Sequence, residues 1–234
     1  MSLSVLIKRM LRPYVSRRRG ERGESIVSSK LNPLLFGKVY HKEIDNYIIF
    51  DEKGNSHQID HIEIRSNGIF CIETKNISGK IYGNVAQDYW TQCLGRKKYR
   101  LRNPIKQNCT HVNCLYKSLN KNYRIYSIVV MVQNNANNLQ INNVINVSYL
   151  RTYLKRFYDG VTYTNEAIDY IYNELLSNRA YISNESHIQG IRRNIDLINS
   201  GICPWCGGNI VEKTGRYGRF YACNNYPKCK YKVK

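Results

Sequence analysis

Two groups of residues in this chain have the types and spacing to do chemistry. Cys203 and Cys206 read C-P-W-C; sixteen residues later come Cys223 and Cys229, in C-N-N-Y-P-K-C. Two close pairs across such a gap suit a tetrahedral Zn²⁺ held by four thiolates. The segment is too short to bury a core of its own, so metal binding must supply its folding free energy, roughly 10–16 kcal/mol for structural zinc. Gly207-Gly208 fits a tight turn after the first pair. Two disulfides or a redox C-x-x-C are the competing readings. No signal peptide is evident and no βαβ pattern surrounds the pair, and both points favour zinc.

The second group is Asp60 with the triplet Glu73-Thr74-Lys75. Residues 57–65 alternate polar and apolar, as a strand does, and residues 69–75 read as the returning strand. Glu73 and Lys75, two apart, then share a face at about 6.6 Å. A two-residue turn at Asn67-Gly68 pairs Ser66 with Ile69. That register sets Asp60 opposite Lys75 and diagonal to Glu73, on one face. The same face carries Ile62, Ile64, Ile69 and Cys71, so an apolar surface ends in two carboxylates and a lysine. Such a cluster is costly without a ligand. Two carboxylates can hold Mg²⁺ through oxygen, which stabilises charge at phosphorus and acidifies water. Lys75 can orient that water or stabilise the transition-state charge. A structural Lys75–carboxylate pair is the bland alternative.

Other elements must position these groups. Residues 23–31 form a short helix with Ile26, Val27 and Leu31 inward. Residues 38–51 form one bent strand or a hairpin. Residues 79–83 and 96–101 add short edge strands. Asn103 caps a helix that Pro104 opens, with Ile105, Cys109, Val112, Tyr116 and Leu119 as its apolar stripe. Residues 125–132 are a buried strand, and 148–158, 164–177 and 185–199 are helical. The fold class is α/β: a mixed sheet flanked by helices, then a helical region and a small zinc ribbon. The domain bounds are a basic arm 1–19, a main domain 20–147, the helical region 148–200 and the ribbon 201–234.

The 234 residues carry a formal charge of +19, which points to a polyanionic partner, nucleic acid ahead of membrane. Lys8, Arg9, Arg12, Arg17, Arg18, Arg19 and Arg22 form one basic run. Arg96, Lys97, Lys98, Arg100, Arg102 and Lys106 form a second, and the cysteine tail a third. No stretch is long enough to span a membrane, and the N-terminus lacks a leader pattern. Cys71, Cys93, Cys109 and Cys114, without ligand spacing, read as reduced core thiols in a cytosolic protein.

Gly218-Arg219-Phe220-Tyr221-Ala222-Cys223 and Tyr226-Pro227-Lys228-Cys229 resemble the zinc ribbons at the C-terminus of bacterial type I DNA topoisomerases. That resemblance implies single-stranded DNA binding. Arg216, Tyr217, Arg219, Tyr221, Lys228 and Lys230 are the candidates, rings for stacking and cations for phosphate, while Phe220 packs at the knuckle. The chain is too short for an autonomous topoisomerase and lacks a D-x-D acid motif.

Gly23-Glu24, Gln58-Ile59-Asp60-His61, Gly68-Ile69-Phe70, Ile72-Glu73-Thr74-Lys75-Asn76, Gly79, Trp90, and Asn103-Pro104 with Gln107 and His111 resemble the NERD (nuclease-related) domain, similar to PD-(D/E)xK nucleases. The resemblance implies a restriction-endonuclease-like core. It makes Asp60 and Glu73 the Mg²⁺ or Mn²⁺ carboxylates, Lys75 the catalytic lysine, Glu24 a further acid and Gln107 a polar active-site residue. His111 and His61, the latter turned away from Asp60, read as structural. The function implied is a metal-dependent DNA endonuclease or phosphodiesterase with a ribbon for substrate capture, in the bacterial cytoplasm at the nucleoid. The alternatives are a non-catalytic DNA-binding protein and a topoisomerase accessory factor.

Overall fold

The computed structural model describes residues 18–32, 39–52, 54–120, 122–179, 184–215 and 218–233, the side chains of 184–188 and 191 excepted. The first basic run up to Arg17, together with Arg216, Tyr217 and Lys234, lies outside the described residues. Two compact units result: a larger one, up to Ile49 and from Gln58 to residue 179, and a smaller one, Phe50–His57 with residues 184–233.

In the larger unit a five-stranded sheet has the order β1-β2-β3-β7-β8. Its strands are β1 His41–Phe50, β2 Ser56–Arg65, β3 Gly68–Lys75, β7 Ile125–Met131 and β8 Val144–Asn146. β2 and β3 are antiparallel, whereas β3–β7 and β7–β8 are parallel, making the sheet mixed. β3 is central and buried on both faces, the condition under which a strand reads as an unbroken apolar run. β1 is a single strand bent at Asn46, whose φ is +51°. The Asn46 side chain accepts from Gln58 Nε2 at 2.6 Å.

On one face, Ile62, Ile64, Ile69 and Cys71 pack against Leu115 of α2 (Pro104–Ser118), Leu119 at its C-cap, and Ile168, Ile171 and Leu175 of α4 (Asn165–Ser177). On the other face, Phe70, Ile72, Ile128 and Val130 pack against Val27 and Leu31 of α1 (residues 18–31) and Leu150 and Leu154 of α3 (Leu150–Arg156). A 3₁₀ turn over Val147–Tyr149 leads into α3.

Four expectations are corrected. First, the hairpin turn is Ser66-Asn67, with Arg65 opposite Gly68, instead of Asn67-Gly68. Tertiary contacts select it. Asn67 Nδ2 donates to Leu154 O and Phe157 O at 2.7 Å each, capping the end of α3. Gly68 sits at φ +151° against Tyr126, where a Cβ would lie 2.9 Å from the ring. Continued down the strands, this register turns Asp60 toward Glu73 instead of Lys75. Because the slip is an even one, no side chain changes face.

Second, the two expected edge strands do not extend the main sheet. β4 (Lys80–Tyr82), β5 (Tyr89–Leu94) and β6 (Lys97–Arg102) make a separate antiparallel sheet. Its Ile81 and Trp90 are buried against Val129 and Met131 of β7. Third, α1 begins earlier, at residue 18, taking in Arg18, Arg19 and Arg22.

Fourth, the buried face of α2 is Pro104, Asn108, His111, Cys114 and Leu115, whereas Cys109 is exposed. Asn103 caps this helix as expected, accepting from Ile105 N at 2.9 Å. The rotated stripe follows from Asn108. Its amide donates to Cys71 O, Ser127 Oγ and Ile128 O at 2.8, 2.9 and 3.1 Å, and its oxygen accepts from Cys71 Sγ. A fully satisfied polar side chain can replace an apolar one in a core. Asn108→Ala would strand these groups in the interior, at about 1–3 kcal/mol for a buried group left unpaired. We expect the melting temperature to fall by several degrees. An unchanged thermal transition would overturn the structural role of Asn108.

Candidate active site and zinc centre

At the ends of β2 and β3 the ladder stops at the His61–Ile72 pair. Beyond it, the Asp60 carboxylate takes over a main-chain role, accepting from Thr74 N at 2.7 Å. Glu73 is 1% exposed, and its Oε1 accepts from Lys75 Nζ. Lys75 Nζ also reaches Gln107 Oε1 on α2 at 3.3 Å. One helical turn on, His111 Nδ1 stands 3.5 Å from Glu73 Oε2. Glu73 Oε2 itself is buried and accepts no hydrogen bond among the described residues.

α1 brings Glu24 toward this cluster. Gly23 lies so close to Asn76 that a Cβ would meet the Asn76 Cβ at 2.7 Å, so this helix turn can pack only with glycine there. Burial first, and then the Asp60 charge, raise the pKa of Glu24. The structure therefore gathers Asp60, Glu73, Lys75 and Gln107, with Glu24 within electrostatic reach.

The electrostatics reflect carboxylates crowded away from water. Burial, followed by the charge of Glu73, pushes Asp60 up to about 7, against the Thr74 amide and Lys75. Glu73 is raised by burial, with Lys75 opposing. Burial lowers the affinity of Lys75 for its proton, but Glu73 and Asp60 outweigh it and the ammonium is retained. An unsatisfied buried carboxylate oxygen beside a second carboxylate fits a hard divalent cation, which takes oxygen ligands and removes the repulsion.

This crowding has a measurable sign. The folded state holds the Asp60 proton up to about pH 7, while the unfolded chain releases it near 3.8. The ionised carboxylate therefore costs stability above about pH 7, and the cost is gone below about pH 4. One pKa unit corresponds to about 1.4 kcal/mol, so the cost is at most about 4 kcal/mol. Without added divalent metal, Asp60→Asn, which keeps an acceptor for Thr74, is expected to melt several degrees above wild type at pH 8. The gap should close toward pH 4. Equal melting temperatures at pH 8 would refute the charge strain.

His61 points the other way. Its Nδ1 lies 2.6 Å from Asp45 Oδ1 and 3.7 Å from Glu43 Oε1. Burial, with the Asp45 charge next, pushes Glu43 up to about 9. Beside them Glu63 is fully buried, 2.8 Å from His41 Nδ1 and 3.2 Å from Arg65 Nη1.

In the smaller unit, β9 (Ile210–Gly215) and β10 (Gly218–Cys223) form an antiparallel ribbon. Cys203 Sγ and Cys229 Sγ are 3.8 Å apart, and Cys206 Sγ and Cys223 Sγ 3.4 Å apart. All four sulfurs lie within 4.8 Å of one another. A tetrahedron with Zn–S bonds of about 2.3 Å has edges of about 3.8 Å, whereas a disulfide needs about 2.05 Å. The four cysteines fit zinc. Ile210 and Tyr231 pack on the cluster, while the Phe220 ring lies under Lys232 Nζ at 4.4 Å instead. Arg219 and Tyr221 share a face with Glu212, which pairs with Arg219 and accepts from the Tyr221 hydroxyl, both at 3.2 Å. Lys228 and Lys230 are exposed.

Reasoning from the sequence missed Asn108 and the Thr74 amide. The first had a signal, since 104, 108, 111 and 115 are spaced as one helix face. The second had none, because a main-chain donor carries no residue type.

A mixed sheet with two carboxylates and a lysine at the ends of a central hairpin, joined to a four-cysteine ribbon, defines the class of molecule. Residues 19–132 match the nuclease-related domain (NERD), and residues 200–234 match the topoisomerase DNA binding C4 zinc finger. The chain thus carries a nuclease-related domain and a topoisomerase-type ribbon. An uncharacterized protein of Bacillus anthracis is 35% identical over 118 residues, covering 49% of this chain and 53% of that one. DNA topoisomerase 1 of Helicobacter pylori is 72% identical over 29 residues, 12% of this chain and 4% of the enzyme. The corresponding enzyme of Methanocaldococcus jannaschii is 63% identical over 30 residues, 13% and 4%. The chain therefore spans about half the length of the first relative and a small fraction of the topoisomerases. No solved structure matches. Among the described residues no helix is long and apolar enough to cross a membrane.

Proposed function

We propose that this chain is a metal-dependent DNA phosphodiesterase, acting as an endonuclease, with a zinc ribbon that captures DNA. The observation that carries the reading is the convergence of Asp60, Glu73 and Lys75, with a buried Glu73 oxygen that accepts no hydrogen bond among the described residues. Asp60 and Glu73 would hold Mg²⁺ or Mn²⁺, with Glu24 as a further acid at the edge. When bound, such an ion stabilises charge on the phosphoryl oxygens and acidifies water. Lys75 keeps its proton, so its role is to hold a water or the developing negative charge in place. Gln107 Oε1 accepts a second hydrogen bond from the ammonium. The Thr74 amide fixes the orientation of the Asp60 carboxylate beside Glu73.

The ribbon presents the second part of the function. Arg219, Tyr221, Lys228 and Lys230, with Arg216 and Tyr217, are the groups proposed to bind single-stranded DNA by stacking and phosphate neutralisation. Glu212 holds Arg219 and Tyr221 in one direction, so DNA must compete with that carboxylate for the guanidinium. Supercoiled plasmid incubated with Mg²⁺ or Mn²⁺ tests the enzyme. We expect nicked or linear product from wild type and none from Asp60→Ala. Equal product from both would exclude this site, and no product from either would leave a DNA-binding protein.

A further inference from the structure

The sheet β4-β5-β6 has two unlike faces. Its pairing sets Lys98, Cys93 and Lys80 in one row across the strands, Arg100, Thr91 and Tyr82 in the next, and Arg102 with Tyr89 in the third. These rows share one face. The opposite face carries Ile81, Trp90 and Leu101, packed onto the core. The outward face thus presents Lys80, Lys98, Arg100 and Arg102, all exposed, with Tyr82 and Tyr89 among them. The three strands contain no acidic residue. None of the four cations is ion-paired to a described residue.

Lys98, Arg100 and Arg102 recur at every second residue of β6 on a face without an acid, so an anionic ligand would relieve their mutual repulsion. Lys98, Arg100 and Arg102 alternate along β6 at about 6.8 Å, a row of about 14 Å. Over that length one strand of duplex DNA presents about four phosphates. The Arg100 guanidinium lies 4.0 Å from the centre of the Tyr89 ring, a cation–π contact that holds it to the surface. The row ends at the candidate active site. Arg102 directly precedes Asn103, the cap of α2, whose Gln107 reaches Lys75. Arg102 also acts electrostatically on both Glu73 and Lys75.

We propose that the outward face of β4-β5-β6 binds the sugar-phosphate backbone of duplex DNA and leads it to the carboxylate cluster. The direction of travel rests on reading that cluster as a DNA phosphodiesterase site; the binding itself does not. The occupant is DNA because an extended row of cations with interspersed rings, on strands without an acid, matches a repeating phosphate chain.

The test is a binding titration of the full chain with a labelled duplex oligonucleotide of arbitrary sequence, at several salt concentrations. No divalent metal is added, so that cleavage does not intrude and the ribbon keeps its zinc. Lys98→Gln/Arg100→Gln is compared with Lys155→Gln/Arg156→Gln, a pair of equal charge on α3. The first pair is expected to weaken binding about tenfold and to flatten the salt slope by about 0.9 for each phosphate no longer neutralised, equally for unrelated sequences. The second pair should leave both near wild type. Equal effects of the two pairs, or no effect of the first, would overturn the surface. Wild type that binds in this way yet never cleaves DNA with Mg²⁺ or Mn²⁺ would leave the surface standing and remove only the catalytic reading.

Discussion

Glu73→Gln and Lys75→Met are expected to lower the rate of DNA cleavage by about a thousandfold while leaving the chain folded. Each removes several kcal/mol of charge stabilisation in the transition state, and about 4 kcal/mol corresponds to a factor near 10³. Glu73→Gln is close to isosteric and keeps an oxygen toward Lys75. It deletes a carboxylate whose ionisation burial already disfavours, so the fold gains where the chemistry loses. Lys75→Met retains the length of an apolar stem on a side chain that is 19% exposed. The readout is the initial rate of nicking at saturating plasmid and metal, with circular dichroism and thermal melting on the same samples. Native-like melting with near-wild-type rates in both variants would eliminate the cluster as a catalytic site. Lost rates with collapsed melting would show that the pair is architectural.

Removal of zinc should unfold the ribbon outright. The cysteine cluster is supported by little besides Ile210 and Tyr231, so the roughly 10–16 kcal/mol of metal binding outweighs any other contribution there. A strong chelator, or Cys223→Ser, is expected to open residues 201–234 to proteolysis while the melting transition of the nuclease-related domain stays in place. Metal analysis of the intact chain should give one zinc, with no open coordination position. Single-stranded DNA binding should weaken, its salt slope falling by about 0.7 for each phosphate that the unfolded ribbon ceases to neutralise. With Cys223→Ser, assayed in added Mg²⁺ or Mn²⁺, cleavage at saturating DNA should be largely retained, because Asp60, Glu73 and Lys75 belong to the other unit. Protease resistance of the tail without metal would contradict the zinc assignment. An unchanged salt slope would leave the ribbon folded by zinc but without a role on DNA.

The candidate site was legible in outline because its elements obey local rules. Alternation in residues 57–65 and 69–75 set Asp60, Glu73 and Lys75 on one face, and the Asn103 cap with Pro104 placed the start of the helix that brings Gln107. The hairpin turn was not legible at residue resolution. Asn67-Gly68 is the stronger isolated turn signal, but Asn67 is held by the end of α3 and Gly68 lies under Tyr126. Nor did the alternation reveal what its polar half does. His61, Glu63 and Arg65 are all buried, where Asp45, His41 and one another partner them. The short strands around Trp90 were misplaced for a related reason. The cationic strand β6 is a sheet edge, but of a separate sheet in which it pairs with β5, and the burial of Ile81 and Trp90 sets that sheet.

What the sequence by itself determined is therefore a matter of composition and parity. The spacing of Cys203, Cys206, Cys223 and Cys229 specifies a metal-folded tail, since ligand type and interval need no distant partner. The period of two along β2 and β3 specifies which residues share a face, and it survives the slip in the turn because the register changed by an even step. The tertiary structure decided the quantities that depend on distance through space. Among them are which carboxylate stands beside which, the unsatisfied oxygen of Glu73, the approach of Glu24 past Gly23, and the alignment of Lys80, Lys98, Arg100 and Arg102. Coulomb energies and desolvation follow separation and burial, and neither is set until helices from remote parts of the chain close over the two faces of the sheet.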